Sequence, residues 1–325
     1  MTQPPQNINT INSKASSILG THRFYHEAMA TTFEIIIAAD DASYAQQAAR
    51  AAFDRLDILE QQFSRFISNS DISRINILTS NQPLKLSLEA FEVLLLSRRI
   101  SAETNGAFDV TIGLLYDCWQ AKDKISIALC QEDLTWTRAH TGMNIVKLDE
   151  AEHTVQLLTT PVKIDLGGIG KGYAVDQMAK LLRDWSIDTA LIHSGGSSVL
   201  ALEGPAGTNG WPVTISNPEN RKQILAYLCL KNRALGGSGL QKGQHIIDPR
   251  TGRPASQKCA AWSCAGDAAT ADALSTAFMV MSPEQIRQYC LAHLDKLAMI
   301  MTEKKDKQTP EDRILRYGCW EKHLA

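Results

Sequence analysis

The first third of the chain shows two kinds of hydrophobic spacing. Residues 31–39 are rich in threonine and isoleucine, which predicts a β-strand. Within residues 45–63 the apolar positions recur at three- and four-residue steps, which predicts one long helix. Ser87 is a good cap for a second helix, which we expect to end near Gly106. The stretch 63–76, rich in serine and asparagine, interrupts these patterns and predicts a loop.

Short apolar runs dominate the middle of the chain and predict strands. They cover residues 144–148, 154–158, 162–166, 188–193, 211–215 and 224–230. A glycine-rich segment at 167–172 leads into a predicted helix with Val175, Met178 and Leu182 on one face, and another helix is predicted over 268–281. Helices and strands are mixed rather than strictly alternating, which favours an α+β fold over a doubly wound parallel sheet.

The composition is that of an ordinary globular protein, with 44% hydrophobic and 21% charged residues. A formal net charge of −2 argues against a nucleic-acid partner. The seven cysteines are scattered without a C-x-x-C pair, which favours free thiols in a reducing compartment. No apolar run is long enough to span a membrane, and the polar N-terminus lacks a secretory signal, so the sequence as written predicts a cytoplasmic location.

These patterns divide the chain into three predicted parts. Residues 1–22 are expected to form a disordered tail, because they are polar and lack periodicity. Residues 23–302 hold the predicted strands and helices and form the folded domain. Residues 303–325 are charged and are expected to form a tail on the surface.

The glycine segment 167–172 is the first candidate for chemistry. A strand, a glycine turn and a helix can present backbone N–H groups to a phosphate. The segment matches neither the P-loop nor the dinucleotide-binding pattern, and a tight turn required by packing is an equal alternative. Lys171 favours the anion site, because a cation within a glycine turn loses hydration unless it meets an anion.

A second candidate lies on the helix predicted over 268–281. Asp272 and Thr276 are four residues apart and therefore share one helical face. A carboxylate and a hydroxyl in this arrangement can bind a hard cation such as Mg²⁺. Taken alone, a structural role near the start of the helix explains them better.

Two further segments carry polar residues at turns. His245 precedes the turn 248–252 and could contact a phosphate or act as an acid or base, although a structural turn is the simpler explanation. The segment 106–109 by itself indicates only the end of a helix.

Taken together and in this order, the motifs resemble those of the ApbE family of FAD:protein FMN transferases. The resemblance extends from about Met29 to about Met281. It rests on MATTFEI, AFDRLDILEQQFSRFISNSDISRIN, TNGAFDVTIG, KIDLGGIGKGYAVD, SGG, HIIDPRTGRPA and ADALSTA. Each motif is moderately specific, whereas the ordered set is highly specific.

The resemblance implies an α+β fold with mixed sheets and packed helices, related to the T-fold, in which two intimately joined subdomains hold the flavin. It also implies a reaction. Family members use a divalent metal, usually Mg²⁺, to transfer the FMN part of FAD to a threonine hydroxyl of a target protein, with release of AMP. The implied partner is a flavoprotein, such as an electron-transfer subunit.

The resemblance also assigns roles to single residues. Contacts with FAD are implied for Met29, Phe66, Ala107, Phe108, Asp109, Asp165, Lys171, His245 and Ile247. Metal ligands are implied to be the backbone carbonyl of Gly168 and the side chains of Asp272 and Thr276. Lys171 would add a positive charge during the reaction, and either His245 or Asp272 would serve as the base.

The sequence departs from the family pattern at several points. Ser197 and Ser198 follow the SGG motif where members commonly have Asp or Asn, and Ser275 replaces an acidic ligand found in some members. The segment 238–244 before His245 is short. The export signal or lipid-attachment cysteine of many members is missing, so a location facing the periplasm or on the membrane is the alternative to the cytoplasm.

Three other functions compete with transfer. Water in place of threonine would make the protein an FAD pyrophosphatase that forms FMN and AMP. A pocket without catalysis would make it an FAD-binding protein. Purely structural glycine turns would leave only a generic α+β domain.

Overall fold

The computed structural model describes residues 11–13, 20–125, 131–240, 246–304 and 308–320. Eight α-helices lie within these ranges: α1 Ala42–Phe63, α2 Asp71–Asn76, α3 Leu88–Glu103, α4 Gly113–Ile125, α5 Gln131–Ala139, α6 Gly170–Asp184, α7 Ala268–Val280 and α8 Pro283–Ala292.

Sixteen strands lie within the same ranges. They are β1 Ile11–Ser13, β2 Thr21–Ala28, β3 Thr31–Ala38, β4 Pro83–Lys85, β5 Val146–Asp149, β6 Thr154–Leu157, β7 Ala190–Ser194, β8 Ser198–Ala201, β9 Trp211–Ser216, β10 Ile224–Leu230, β11 Arg233–Gly239, β12 Ile247–Asp248, β13 Arg253–Pro254, β14 Lys258–Ala265, β15 Leu297–Thr302 and β16 Ile314–Tyr317.

One antiparallel sheet of eight strands organises the molecule. Its order is β16-β15-β14-β11-β8-β7-β3-β2. Helices α1, α6 and α7 pack on one face, and the sheet β1-β9-β10 contributes to a second hydrophobic core on the other. A small sheet, β4-β6-β5, and the hairpin β12-β13 complete the described strands. The predicted α+β fold is confirmed.

The apolar stripe predicted within residues 45–63 is buried in α1. Its members Ala45, Ala48, Ala52, Leu56, Leu59 and Phe63 all face the core. The side chain of Asp41 caps the helix by accepting hydrogen bonds from the N–H groups of Ser43 and Tyr44. The spacing therefore predicted both the helix and the face that it buries.

Two glycines allow α7 to pack closely in the core. A Cβ atom at Gly172 of α6 would lie 2.2 Å from the carbonyl oxygen of Ala268, and one at Gly236 of β11 would lie 2.2 Å from that of Ala271. Only glycine permits such an approach of two backbones. Helix α7 is therefore held between α6 and the central sheet, which fixes the side chains that it presents.

Two local predictions differ from the structure. The stretch 63–76 is not entirely a loop, because Ser70 caps the short helix α2 through the N–H of Ser73. The run 162–166 forms no strand; it makes only an isolated bridge between Ile112 and Lys163. Apolar composition alone did not reveal that this run lacks a neighbouring strand along its length.

The two predicted tails also differ from what the structure describes. At the N-terminus, β1 pairs with β9, and β2 begins at Thr21. Residues 1–10 and 14–19 lie outside the described residues. At the C-terminus, β16 forms an edge of the main sheet, and Arg313 and Trp320 are buried. A charged segment can still add a strand, because ladder hydrogen bonds need only backbone groups.

The described ranges contain no helix with the length and apolar character needed to cross a membrane. The free thiols within these ranges include Cys229, Cys259, Cys264, Cys290 and Cys319.

Candidate active site

Three segments that are distant in sequence meet at the glycine turn. A Cβ atom at Gly168 would lie 3.1 Å from Oγ1 of Thr276 and 3.3 Å from Cε2 of Phe108. The turn before α6, the middle of α7 and the 106–109 segment therefore share one site. A side chain at position 168 would fill the space beside the Thr276 hydroxyl.

Asp272 supplies a buried carboxylate next to this turn, with only 2% of its surface exposed. Its Oδ2 accepts a hydrogen bond of 3.1 Å from the N–H of Gly172 and lies 3.9 Å from Nζ of Lys171. Burial raises the pKa of Asp272, while Lys171, the Gly172 N–H and the Ser198 hydroxyl oppose that shift. The carboxylate thus lacks sufficient charge compensation from the protein alone, which suits it to a cation.

Lys171 lies across the glycine turn rather than pointing away from it. Its Nζ donates a hydrogen bond of 2.9 Å to the carbonyl oxygen of Gly167, and its side chain is partly exposed. A cation within a glycine turn requires a nearby anion, because it loses hydration there. Asp272 meets part of that requirement at 3.9 Å, and the exposed side of the ammonium group remains available to a ligand.

A group of hydroxyls lies around Thr276 in the middle of α7. Oγ of Ser238 on β11 lies 2.8 Å from Oγ of Ser275 and 3.1 Å from Oγ1 of Thr276. Ser238 does not stand out in the sequence, because pairing of β11 beneath α7 is a long-range contact. The only local signal was the run of small residues around it, which permits close packing.

Asp165 shapes the turn. Its Oδ1 accepts a hydrogen bond of 2.7 Å from the N–H of Gly167, and its Oδ2 lies 3.2 Å from Nε of Arg65. Its own N–H donates to the carbonyl oxygen of Val110. Both carboxylate oxygens therefore already have partners within the protein.

Asp109 has a similar internal role. It accepts hydrogen bonds from the N–H and hydroxyl of Thr111 and from the N–H of Met143. Burial raises the pKa of Asp109, and these donors act against that shift. The neighbouring Ala107 and Phe108 are buried. In this structure Asp109 supports the loop that carries Phe108.

Met29 lies in the two-residue turn between β2 and β3. Its N–H donates a hydrogen bond of 2.7 Å to Oε1 of Glu60 on α1. The turn 194–198 packs close to it, since a Cβ atom at Gly195 would lie 2.1 Å from Oγ1 of Thr31. The SGG motif and the MATT motif therefore adjoin at one end of the sheet.

The remaining predicted residues occupy different environments. Phe66 follows α1 and has 85% of its surface exposed. Ile247 is buried in β12, and Arg250 of the following turn donates to the carbonyl oxygen of Val280 at the end of α7. His245 lies outside the described residues.

The oxygen donors fit a hard divalent cation. No group of three or more His, Cys, Asp or Glu side chains placed to hold a metal occurs within the described ranges. The set at α7 consists of one carboxylate, the Thr276 hydroxyl and the backbone near Gly168. Mg²⁺ is commonly bound by one or two carboxylates, with water and substrate phosphates completing its coordination.

A buried carboxylate, a cation and a glycine turn at a helix N-terminus meet here, and groups of these kinds can hold a phosphate and a divalent cation. A sequence profile of the ApbE family matches residues 29–301. The chain belongs to the ApbE family, which confirms the resemblance seen in its motifs.

Relatives and solved structures agree with this assignment. The FAD:protein FMN transferase of Escherichia coli (strain K12) is 27% identical over 323 residues, covering 93% of this chain and 88% of the relative. That of Vibrio cholerae serotype O1 is 27% identical over 292 residues, covering 86% of each. The ApbE protein of Thermotoga maritima has a TM-score of 0.79 at 25% identity, covering 91% of this chain and 97% of that one.

Proposed function

We propose that this protein is an FAD:protein FMN transferase that transfers the FMN part of FAD to a threonine hydroxyl of a target protein and releases AMP, with Mg²⁺ as cofactor. The observation that carries the proposal is the meeting of Asp272, Thr276 and the Gly168 turn beside Lys171. These groups provide oxygen ligands for a cation and a positive charge for phosphate at the same place.

The proposed reaction replaces the phosphoanhydride bond of FAD with a phosphoester bond to threonine. The threonine oxygen attacks the phosphorus of the FMN half, and the bond from that phosphorus to the oxygen of the AMP phosphate breaks. The threonine proton passes to a base, for which Asp272 and His245 are the candidates. A bound Mg²⁺ would neutralise the charge that develops on the phosphate oxygens.

The residues of this chain would divide the work between binding and charge stabilisation. Asp272, Thr276 and the carbonyl of Gly168 would hold the metal. Lys171 would bind the pyrophosphate from the helix N-terminus. Phe108 and Met29 would border the flavin, and we extend the same proposal to Phe66, Ala107, Asp109, Asp165, His245 and Ile247 as the other parts of the FAD site.

The experiment that tests this function uses two matched peptides, one with a threonine acceptor and one with alanine in its place. The purified protein is incubated with FAD and Mg²⁺, and products are measured by mass spectrometry and chromatography. FMN bound covalently to the threonine peptide alone is the expected result. FMN and AMP without peptide modification would indicate a pyrophosphatase, unchanged bound FAD a binding protein, and no bound FAD would refute the proposal.

A substitution tests the metal site. Asp272→Asn removes the charge while keeping the shape, and we expect metal-dependent turnover to fall at least about 100-fold, since even residues that only support metal ligands cost 10- to 100-fold. The protein should stay folded, because the change removes a charge whose burial is unfavourable.

The control for that variant is Asp184→Asn, at an exposed carboxylate of α6. Turnover and Mg²⁺ dependence should match those of the unmodified protein. Full activity of Asp272→Asn at the same Mg²⁺ concentration would contradict the assigned site.

A further inference from the structure

Arg65 lies between two parts of the proposed FAD site and has only 15% of its side chain exposed. It lies two residues after the end of α1 and precedes Phe66. Its Nε is 3.2 Å from Oδ2 of Asp165, and its terminal nitrogen Nη1 is 3.5 Å from Oδ1 of Asp117. Asp117 also forms an ion pair with Lys163. Arg65 therefore belongs to a network of alternating charges.

The same guanidinium group contacts two aromatic rings. Its central carbon lies 4.9 Å from the ring centroid of Phe66 and 5.1 Å from that of Tyr116. Both distances are within the range of a cation–π interaction. One side chain thus contacts the Phe66 ring and the Asp165 carboxylate, which in turn accepts the N–H of Gly167.

Phe66 needs such a contact to keep a defined orientation. With 85% of its surface exposed, its ring is not fixed by burial in the core. Its N–H donates 3.3 Å to Oγ of Ser64, which orients the backbone but not the ring. The Arg65 contact can orient the ring itself.

We propose that Arg65 is a positioning residue that fixes the Phe66 ring at the flavin end of the site by anchoring it to the Asp165–Gly167 turn. This inference rests on the proposed function, because it gives Phe66 a flavin to contact. An isolated ion pair on a surface contributes little to stability, whereas a network with a planar guanidinium can fix geometry.

The decisive variant is Arg65→Lys. Lysine keeps the positive charge near Asp165 and Asp117 but loses the planar group that lies against the ring. Dissociation constants are measured for FAD, by the change in its flavin fluorescence, and for ADP, which lacks the flavin. We expect Kd for FAD to rise about three- to tenfold, as loss of a cation–π contact implies, and Kd for ADP to stay within about twofold.

Phe66→Leu and the double variant complete the test. Phe66→Leu should weaken FAD binding, and adding Arg65→Lys should then weaken it no further, because both changes remove the same contact. Arg74→Lys is the matched control, since Arg74 forms an ion pair with Asp71 on the adjoining helix and is 43% exposed. Its affinities should not change.

The outcomes separate this inference from the function on which it rests. A wild-type protein that fails to bind FAD overturns both. Normal FAD binding by the wild type with an unchanged Arg65→Lys variant overturns only the role of Arg65. Additive losses in the double variant, or equal losses for ADP and FAD, would show a general structural role and also overturn it.

Discussion

At the scale of single residues, the turn between β2 and β3 carries an unusual backbone. Met29 and Ala30 have φ values of 50° and 57°, which is the left-handed region. Two-residue hairpin turns of this kind strongly favour Asn-Gly or similar pairs. This turn adjoins the SGG motif, and strain held by surrounding structure is typical of functional sites. The N–H of Met29 is held by Glu60, which helps to maintain the turn.

Replacing Ala30 with glycine should therefore stabilise the protein. A residue with a Cβ atom costs the folded state about 1–2 kcal/mol in the left-handed region, and glycine avoids this cost. Glycine also gives the unfolded chain more conformational freedom, which offsets part of the gain. We expect a net gain in the free energy of unfolding of about 1 kcal/mol, measured by urea denaturation. Ala151→Gly, at an exposed turn residue without a positive φ, should give no gain. Equal effects of the two substitutions would contradict the strain argument.

At the scale of elements, contact between α6 and α7 positions Asp272, which we propose as a metal ligand. Gly172 both permits the close approach to Ala268 and donates its N–H to Asp272. Asp176, one turn further along α6, accepts hydrogen bonds from the N–H groups of Ala268 and Ala269. The start of α7 is thus capped by a side chain of its neighbour, which couples the two helices.

Gly172→Ala tests that coupling. The added methyl group would lie 2.2 Å from the backbone oxygen of Ala268, which cannot rotate away. We expect a loss of about 1–3 kcal/mol in the free energy of unfolding and a weaker dependence of turnover on Mg²⁺, since Asp272 would shift. Gly266→Ala is the control, because a Cβ atom there has open space. A normal Mg²⁺ dependence in Gly172→Ala would show that the packing does not position Asp272.

The sequence predicted the elements of this site better than their partners. The spacing in α1, α6 and α7 predicted three helices that the structure contains, and the glycine segment was placed at a helix N-terminus. The contacts of Ser238 and Arg65 depend on strand order and loop closure, which local periodicity does not encode. The strand predicted over 162–166 failed for the same reason, because a strand requires a partner as well as an apolar run.

At the scale of the whole molecule, two buried groups link stability to pH with opposite signs. Burial and the nearby Asp267 raise the pKa of Asp176 to about 7, and burial lowers the pKa of His193 to about 4. Ordinary values for the unfolded chain are 3.8 and 6.5. Between about pH 4 and 6.5, Asp176 is therefore protonated in the folded protein and ionised in the unfolded chain. Over the same interval, His193 is neutral in the folded protein and protonated in the unfolded chain. The two effects oppose each other.

Asp176→Asn should reveal the histidine contribution. The proton held by folded Asp176 makes the free energy of unfolding fall as pH rises, with a slope of at most about 1.4 kcal/mol per pH unit. Without it, the free energy of unfolding should rise more steeply from pH 4.5 to 6.5 than in the wild type. Loss of a capping carboxylate adds a decrease that does not depend on pH, so the slope is the quantity to compare. Urea denaturation at several pH values measures it, and a wild-type slope would contradict the shift of Asp176.

His193→Gln is the complementary change on the opposite face of the main sheet. In the unfolded wild-type chain His193 gains a proton below about pH 6.5, whereas in the folded protein it does so only near pH 4. The free energy of unfolding therefore falls as pH decreases through this interval. Glutamine cannot titrate, and the remaining Asp176 contribution should make the variant more stable at pH 4.5 than at pH 6.5. In the double variant, the slope of the free energy of unfolding against pH should change by the sum of the two single changes. The groups lie on different faces, so their effects should add. If the two single variants shifted the slope in the same direction, the opposing assignment would be wrong.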